Sequence, residues 1–388
     1  MYISKEQVEL AKIDIEFRKK VREAKNYVKS TSEGISDCKK LEYMEELEKV
    51  KNPKYKSKRL KIENGMILKG SATNETVFIP EGVTEIGKEA FESCNNSKFI
   101  FPNGLKKIGN SAFEDCHNVF EVDVKDADLC YPADAVVLVR AGDEIDQFSK
   151  GFSQFPSTLE EIGDYAFRRF GINAYGYNKK LMEYLILPQS LRKIGKGAFT
   201  NCGIEAVYIA GPEIISENCF SNNWGLKKVV FGDDVKTIGD VAFDACRFLE
   251  KIIFSKNLKE IGNCAFSGCT SIKKITLPDV LEKIGKYAFC ECSSLTSIII
   301  PNNVSEIGKY AFFKCLSLRK VKLGEGIINI PEECFADCNK LTEIEIPDNV
   351  VKIENNAFKN CNKLKIRATI GSFAEKYAKQ NNIKFEMI

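Results

Sequence analysis

The chain has 388 residues, 44% of them hydrophobic, and its 57 basic side chains face 54 acidic ones for a net charge of +3. This composition supports a continuous core, and its balance excludes a global attraction to nucleic acid or an anionic membrane. No stretch of about 18 apolar residues is present, so no membrane span is expected, and the charged opening MYISKEQVELAKIDIEFRKK lacks the apolar run of a signal peptide.

Residues 1–58 read as a helical hairpin with a linker. Ser4 and Gln7 fit a capping box. Leu10, Ile13, Phe17, Val21, Ala24 and Val28 then recur at spacings of three and four, one apolar helical stripe. After a break at Ser30–Gly34, Leu41, Met44 and Leu47 set a shorter helical pattern that Pro53 ends. Such a hairpin either caps the start of the segment beyond it or offers a partner-binding or dimerising surface; a monomer is otherwise expected. The basic run Lys54–Lys61 has one aromatic, Tyr55, and reads as linker rather than as a nucleic-acid patch.

From Leu60 the pattern becomes strand-like. Asn64-Gly65 between Leu60/Ile62 and Met66/Leu68 suits a hairpin turn, and Val77-Phe78-Ile79-Pro80 reads as a strand end. A repeated phrase begins soon after, clearest at 284–303 as IGKYAFCECSSLTSIIIPNN. Its isoleucine recurs at 86, 108, 162, 194, 215, 238, 261, 284, 307, 330 and 353, in steps of 22, 54, 32, 21 and then six of 23. An anchor Phe follows each by five residues, from Phe91 to Phe358. Cysteine stands three positions further on in all rungs but two, where Phe170 and Asn223 take its place. Self-similarity at this period predicts a repeat solenoid of about 11 rungs of ~23 residues.

The two long steps contain insertions, within about Lys125–Phe155 and Gly171–Lys180. The first carries Ala135-Val136-Val137-Leu138-Val139, either padding for the solenoid edge or a binding element; the second has two Tyr and two Gly. Such insertions leave a solenoid from one edge and often carry function. At the end of the chain, Ser372 and Glu375 form another capping box, which predicts a short helix to about Gln380 and a last strand at Ile383–Met387. The expected organisation is therefore a helical segment at 1–58, a solenoid at 59–366 and a helix/strand cap at 367–388.

Within each rung the segment Leu-x-x-Ile-x-(Ile/Leu)-Pro alternates as a strand with one buried face. Pro102, Pro188, Pro278, Pro301 and Pro347 have no N–H to donate and end it. The Ile-Gly and Ala-Phe segments form the returning side. These elements resemble the leucine-rich repeats of the BspA type over roughly Leu60 to the C-terminus. The resemblance implies a curved, β-rich leucine-rich repeat solenoid with a parallel sheet on one face. Known members are mostly bacterial surface proteins that bind host matrix proteins or other cells, so it implies an adhesin-like, protein-binding, non-catalytic role.

The residue between the two inward strand positions should face outward. Rung by rung it is Phe78, Ile100, Asp123, Ile186, Tyr208, Val230, Ile253, Thr276, Ile299, Lys322 and Glu345. Eight of the eleven are apolar, Tyr or Thr, which predicts an exposed stripe suited to a protein or glycoprotein partner. Two residues earlier lie Lys228, Lys251, Lys274 and Lys320, with Ser297 interrupting. A lysine row beside an apolar row either suits an acidic, amphipathic or extended partner or is a solvated charged face that discourages edge aggregation.

No constellation supports a named reaction. The one histidine, His117, follows the inward Cys116 and should point out; with it go most zinc sites and triads. Gly324-Glu325-Gly326 lacks the flanks of a phosphate loop. No cofactor is expected, and an enzyme would have to place its site in the 125–155 insertion. The odd total of 15 cysteines, nine at one repeat position, reads as core thiols rather than disulfides. Free thiols and the absent signal point to the cytoplasm and to an intracellular scaffold or effector; a mature fragment at the cell surface or secreted is the alternative.

Overall fold

The computed structural model describes residues 60–71, 76–94, 98–116, 121–124, 153–171 and 182–388. The expected hairpin at 1–58, His117 and nearly all of both insertions lie outside these residues. The rest is a coil repeated along one axis, with hydrogen bonds running between rungs on three sides.

The first side is a long parallel ladder. It opens with Thr76–Phe78, Lys98–Phe101 and Glu121–Val124, continues through Ser153–Gln154, Met182–Leu187, Ile204–Ile209, Lys228–Phe231 and Lys251–Ile253, and closes with Ser297–Ile299, Lys320–Lys322, Glu343–Glu345, Lys365–Ala368 and Lys384–Met387. A single bridge from Lys274 to Ser297 marks the rung before the closing group. The second side holds the Ile-Gly phrase. Its residues form a second ladder of two-residue strands, from Glu85–Ile86 to Lys352–Ile353, where the sequence predicted only a return. On the third side the anchor Phe donates its N–H to the carbonyl of the residue before the next rung's Phe, usually Ala, as from Phe243 to Ala265 at 2.8 Å, and Cys219 or Cys334 in two rungs.

Three residue types explain the coil. The anchor phenylalanines are buried and form one column: Phe220–Phe243 and Phe243–Phe266 have ring centroids 5.2 and 5.3 Å apart and lie within 5° of parallel. The glycine of Ile-Gly lets neighbouring rungs touch: a Cβ on Gly285 would sit 2.5 Å from the carbonyl carbon of Gly262. The cysteine three residues after the Phe has a polar job within the core. Cys246 Sγ donates to the carbonyl of Phe220 at 3.2 Å, and Cys269, Cys292, Cys315, Cys338 and Cys361 make the same bond to the Phe one rung back. Each thiol thereby finds an acceptor within the core, on a carbonyl that also accepts an N–H from its own rung, as Phe243 does from Cys246.

Each complete rung also turns through two left-handed residues four apart, such as Tyr287 (φ 57°) and Glu291 (φ 58°). Val241 holds the first of these positions at φ 60°, where its branched side chain is costly; one rung earlier Asn218 holds it at the same angle. Val241→Asn is expected to raise stability by about 1 kcal/mol, read as a higher urea midpoint with an unchanged slope.

Both ends of the described solenoid are finished as expected. Asn64 (φ 49°) and Gly65 (φ 76°) turn a hairpin between Lys61–Glu63 and Met66–Lys69. Helix α1 (Phe373–Gln380) is capped by Ser372, whose hydroxyl accepts the Glu375 N–H at 3.2 Å; the Glu375 carboxylate reaches back to the Gly371 N–H at 2.7 Å. Lys384–Met387 then pairs in parallel with Lys365–Ala368.

Candidate functional site

The outward face of the long ladder is the candidate interaction surface, because strand alternation fixes which side chains reach it. Val207, Ile209, Val229 and Ile298 are in the core, so the residues between them point away. The register brings the sequence-predicted row together: Phe78 pairs with Ile100, Ile186 with Tyr208, Tyr208 with Val230, Val230 with Ile253, and Ile299 with Lys322. Gln154 also belongs to this row, opposite Ile186. The sequence had placed it inside the first insertion, but the chain regains the ladder at Ser153–Gln154 and Phe155 is in the core. The shared register of Leu185 with Ser153 could not be seen across so long a step.

The row divides into three parts with different chemistry. In the middle, Tyr208 and Val230 are only 4% and 2% exposed; with Ala206 and Ala210 they form a second buried cluster, against which Ile186 and Ile253 are half-buried. The expectation of one continuous exposed stripe is corrected here: these side chains leave the sheet on the outward side yet pack on one another, and the two small alanines leave room for the tyrosine ring among them. Ile100 is buried too.

The next part is open. Ile299 is 66% exposed, Thr276 is exposed beside it, and Ile253 borders it. Lys251, half-buried, and Lys274, exposed, flank this stretch and make no ion pair among the described residues. The third part neutralises itself. Lys322 meets Glu345 at 2.7 Å, Arg367 meets Glu343, Glu345 and Glu386 at 3.4, 3.5 and 3.1 Å, and Lys365 meets Glu386 at 2.6 Å. Lys320, read from sequence as part of the lysine row, lies 3.8 Å from Glu343 and belongs to this lattice. Lys228 sits at the other end of that row, half-buried.

A second concavity of about 400 Å³ lies on the short ladder, between Glu85, Lys107, Glu161 and Lys193. Its charges pair in place: Lys193 to Glu161 at 2.9 Å, Lys107 to Glu85 at 3.5 Å and Lys106 to Glu160 at 3.6 Å. The Lys193 hydrogen bond holds the Glu161 carboxyl below its usual range. Most of the groove's charge is therefore compensated in place, while Arg192, which also lines it, makes no ion pair with a described residue. Among the described residues no three His, Cys, Asp or Glu side chains converge as a metal site, and no helix is long and apolar enough to cross a membrane.

All 13 described cysteines are free. Burial raises Cys202, Cys246 and Cys361 from the usual 9.0 to about 12, which makes these thiols poor nucleophiles at neutral pH. Their shift has a thermodynamic consequence. Once the chain unfolds they ionise near 9.0, so above that pH the unfolded state binds fewer protons and stability falls as pH rises. Thermal melts are expected to change little below about pH 8 and to drop steadily from about pH 9 toward 12. Cys246→Ala should make that drop shallower.

The sequence reading missed one group, Trp224, Arg247 and Phe248, on the rim where each rung enters the long ladder. The signal was present: the two residues after the repeat cysteine are Thr270-Ser271, Ser293-Ser294, Leu316-Ser317 and Asn339-Lys340 in later rungs, with no aromatic and no arginine among them.

The sequence model of the family described as BspA type leucine rich repeat region matches residues 46–128, 170–295 and 259–382, in six copies. A leucine-rich repeat protein from Bacteroides ovatus is 21% identical, with a TM-score of 0.52 over 84% of this chain and 97% of that one. The T. pallidum leucine-rich repeat protein is 29% identical over 47% of this chain and 85% of its own, with a TM-score of 0.41. A leucine-rich cell surface protein from Faecalibacterium prausnitzii is 20% identical over 84% and 92%, with a TM-score of 0.44. No curated protein matches significantly.

Proposed function

Because the chain belongs to the BspA-type leucine-rich repeat family, we propose that it is a non-catalytic protein-interaction module that binds a protein or glycoprotein partner through the outward face of its long ladder. The observation that carries this reading is the open stretch at Ile253, Thr276 and Ile299. It carries the apolar Ile253 and Ile299 on either side of Thr276 and is flanked by Lys251 and Lys274, while the ladder beyond it is closed by ion pairs. An exposed apolar strip between a packed cluster and a charged lattice is what a partner strand or loop can cover. Free thiols throughout the core suit a reducing compartment and hence an intracellular scaffold; cell fractionation tests that part, and recovery at the cell surface would favour the adhesin-like form.

Ile253→Glu with Ile299→Glu is the direct test. Both side chains face away from the core, so the fold should survive, as far-UV circular dichroism would show. The partner recovered by affinity capture from native lysate with the unmodified protein should be lost with the variant. Equal recovery would overturn the reading.

A further inference from the structure

The rim above the open stretch departs from the repeat in a way that folding does not require. Trp224, the chain's sole tryptophan, is 49% exposed and Phe248 is 57% exposed. Arg247 stands one rung after Trp224 and lays its guanidinium over the indole, 5.7 Å from the ring centroid. The inward neighbours Cys246 and Leu249 already hold this corner in the core. In the next two rungs the equivalents of Arg247 and Phe248 are Thr270-Ser271 and Ser293-Ser294. Thr270 even donates its hydroxyl to the Arg247 carbonyl at 3.0 Å, so a small hydroxyl residue is what the corner accommodates with a hydrogen bond. Two exposed aromatics with an arginine between them have the composition of interface anchors.

The charge around them is one-sided. Arg247, Lys251, Lys273 and Lys274 make no ion pair among the described residues, and Glu250 is the acid set among them. Lys251 and Lys274 begin the strand segments of successive rungs, and neighbouring strands are about 4.8 Å apart. Like charges at that spacing repel. Three rungs further on, the same positions alternate as Lys320, Glu343 and Lys365, with Lys320 paired to Glu343 and Lys365 to Glu386. Lys251 and Lys274 thus stand uncompensated beside Arg247, in its own rung and in the next.

We infer that the Trp224–Arg247–Phe248 rim and the adjoining Lys251 and Lys274 form the docking site for an acidic segment of a partner protein that carries aromatic or aliphatic side chains. Its apolar side chains cover Trp224 and Phe248, and its carboxylates meet Arg247, Lys251 and Lys274. The inference deepens the protein-binding reading above and rests on it, while naming residues that the strip on the ladder does not include.

The single tryptophan reports on the site directly. The probe is a synthetic peptide of about twelve residues, rich in Asp and Glu with one Phe and two Leu. Two controls have the same length: one with Lys in place of every acid, and one with Ser in place of every apolar residue. The acidic apolar peptide is expected to shift Trp224 emission saturably, with affinity falling as salt rises. Arg247→Thr with Phe248→Ser imports the residues of the following rung, keeps the reporter and leaves the core untouched. It should bind about tenfold more weakly or worse at an unchanged urea midpoint. Lys251→Gln with Lys274→Gln should weaken binding and flatten the salt dependence. An unresponsive tryptophan, an equal response to either control peptide, or unaltered binding by the Arg247/Phe248 variant would each overturn the inference. So would a response to phosphatidylserine vesicles or to a neutral glucan but not to the peptide. Loss of lysate capture in the Ile253/Ile299 variant, with capture intact in the Arg247/Phe248 variant, would overturn this inference alone and leave the broader reading standing.

Discussion

Phe243→Ala is expected to destabilise the solenoid by about 3–5 kcal/mol. The ring is buried, stacked at 5.2 Å on Phe220 and 5.3 Å on Phe266, and met edge-on by Phe231 at 5.6 Å and 89°. Truncation removes all three ring contacts and leaves a void that neighbouring rungs cannot fill, because their positions are set by backbone hydrogen bonds on three sides. Phe243→Leu should cost less, about 1–2 kcal/mol, since most of the volume remains. Denaturant titration followed by circular dichroism measures both. A loss below about 1 kcal/mol for the alanine variant would mean that the column relaxes around the gap, contrary to the packing described.

Asn223→Leu is expected to cost at least about 2 kcal/mol, although it exchanges a polar side chain for an apolar one in the core. Asn223 is fully buried where other rungs have cysteine. Its amide donates to the carbonyls of Phe199 at 2.8 Å and Phe220 at 2.7 Å, and its side-chain oxygen accepts the Cys202 N–H at 2.8 Å. Leucine would strand the Phe199 carbonyl and the Cys202 N–H away from water, at roughly 1–3 kcal/mol each, and leave the Phe220 carbonyl with the Cys246 thiol alone. Asn223→Cys should cost only about 1–2 kcal/mol, because a thiol there can still donate to the Phe199 carbonyl as its neighbours do. The order of urea midpoints, unmodified above Cys above Leu, is the check; Leu at or above Cys would show that volume rather than hydrogen bonding governs this position. Because contacts run only between adjacent rungs, the unfolding curve of the leucine variant should also broaden, as the halves on either side of Asn223 begin to melt separately.

The solenoid was legible because its constraints recur. A void at an anchor Phe is penalised in the same way in every rung, and a Cβ at the Ile-Gly glycine in most of them (Ser216, Pro331 and Glu354 stand there in the others), so the sequence repeats its reasons. The role of cysteine was only half legible. Burial could be inferred from the inward position, but its hydrogen bond to the Phe carbonyl one rung back needed coordinates, although Asn223 offered a hint as the one amide in that column. The two-residue ladder at Ile-Gly was missed because strands so short leave no alternation to read. The candidate face was legible as a row and misjudged in exposure: Tyr208 and Val230 face outward and are still buried. Period two tells which face of a sheet a side chain leaves from. It does not tell what lies against that face, which depends on neighbours such as Ala206 and Ala210 that no pattern singles out. Trp224, Arg247 and Phe248 went unnoticed for the opposite reason, since attention to what repeats passes over residues that interrupt a polar consensus.

Bonds that run only from rung to rung, along the axis, also determine how the molecule would yield to force. Pulled at its C-terminus, the chain should lose Lys384–Met387 first, because that strand pairs with Lys365–Ala368 alone. Each later coil would then become the exposed end in turn. A 23-residue rung drawn straight releases about 80 Å of chain, so extension should proceed as a series of similar small steps rather than one large rupture. A tether built in this way lengthens under load while the remaining coils keep their shape.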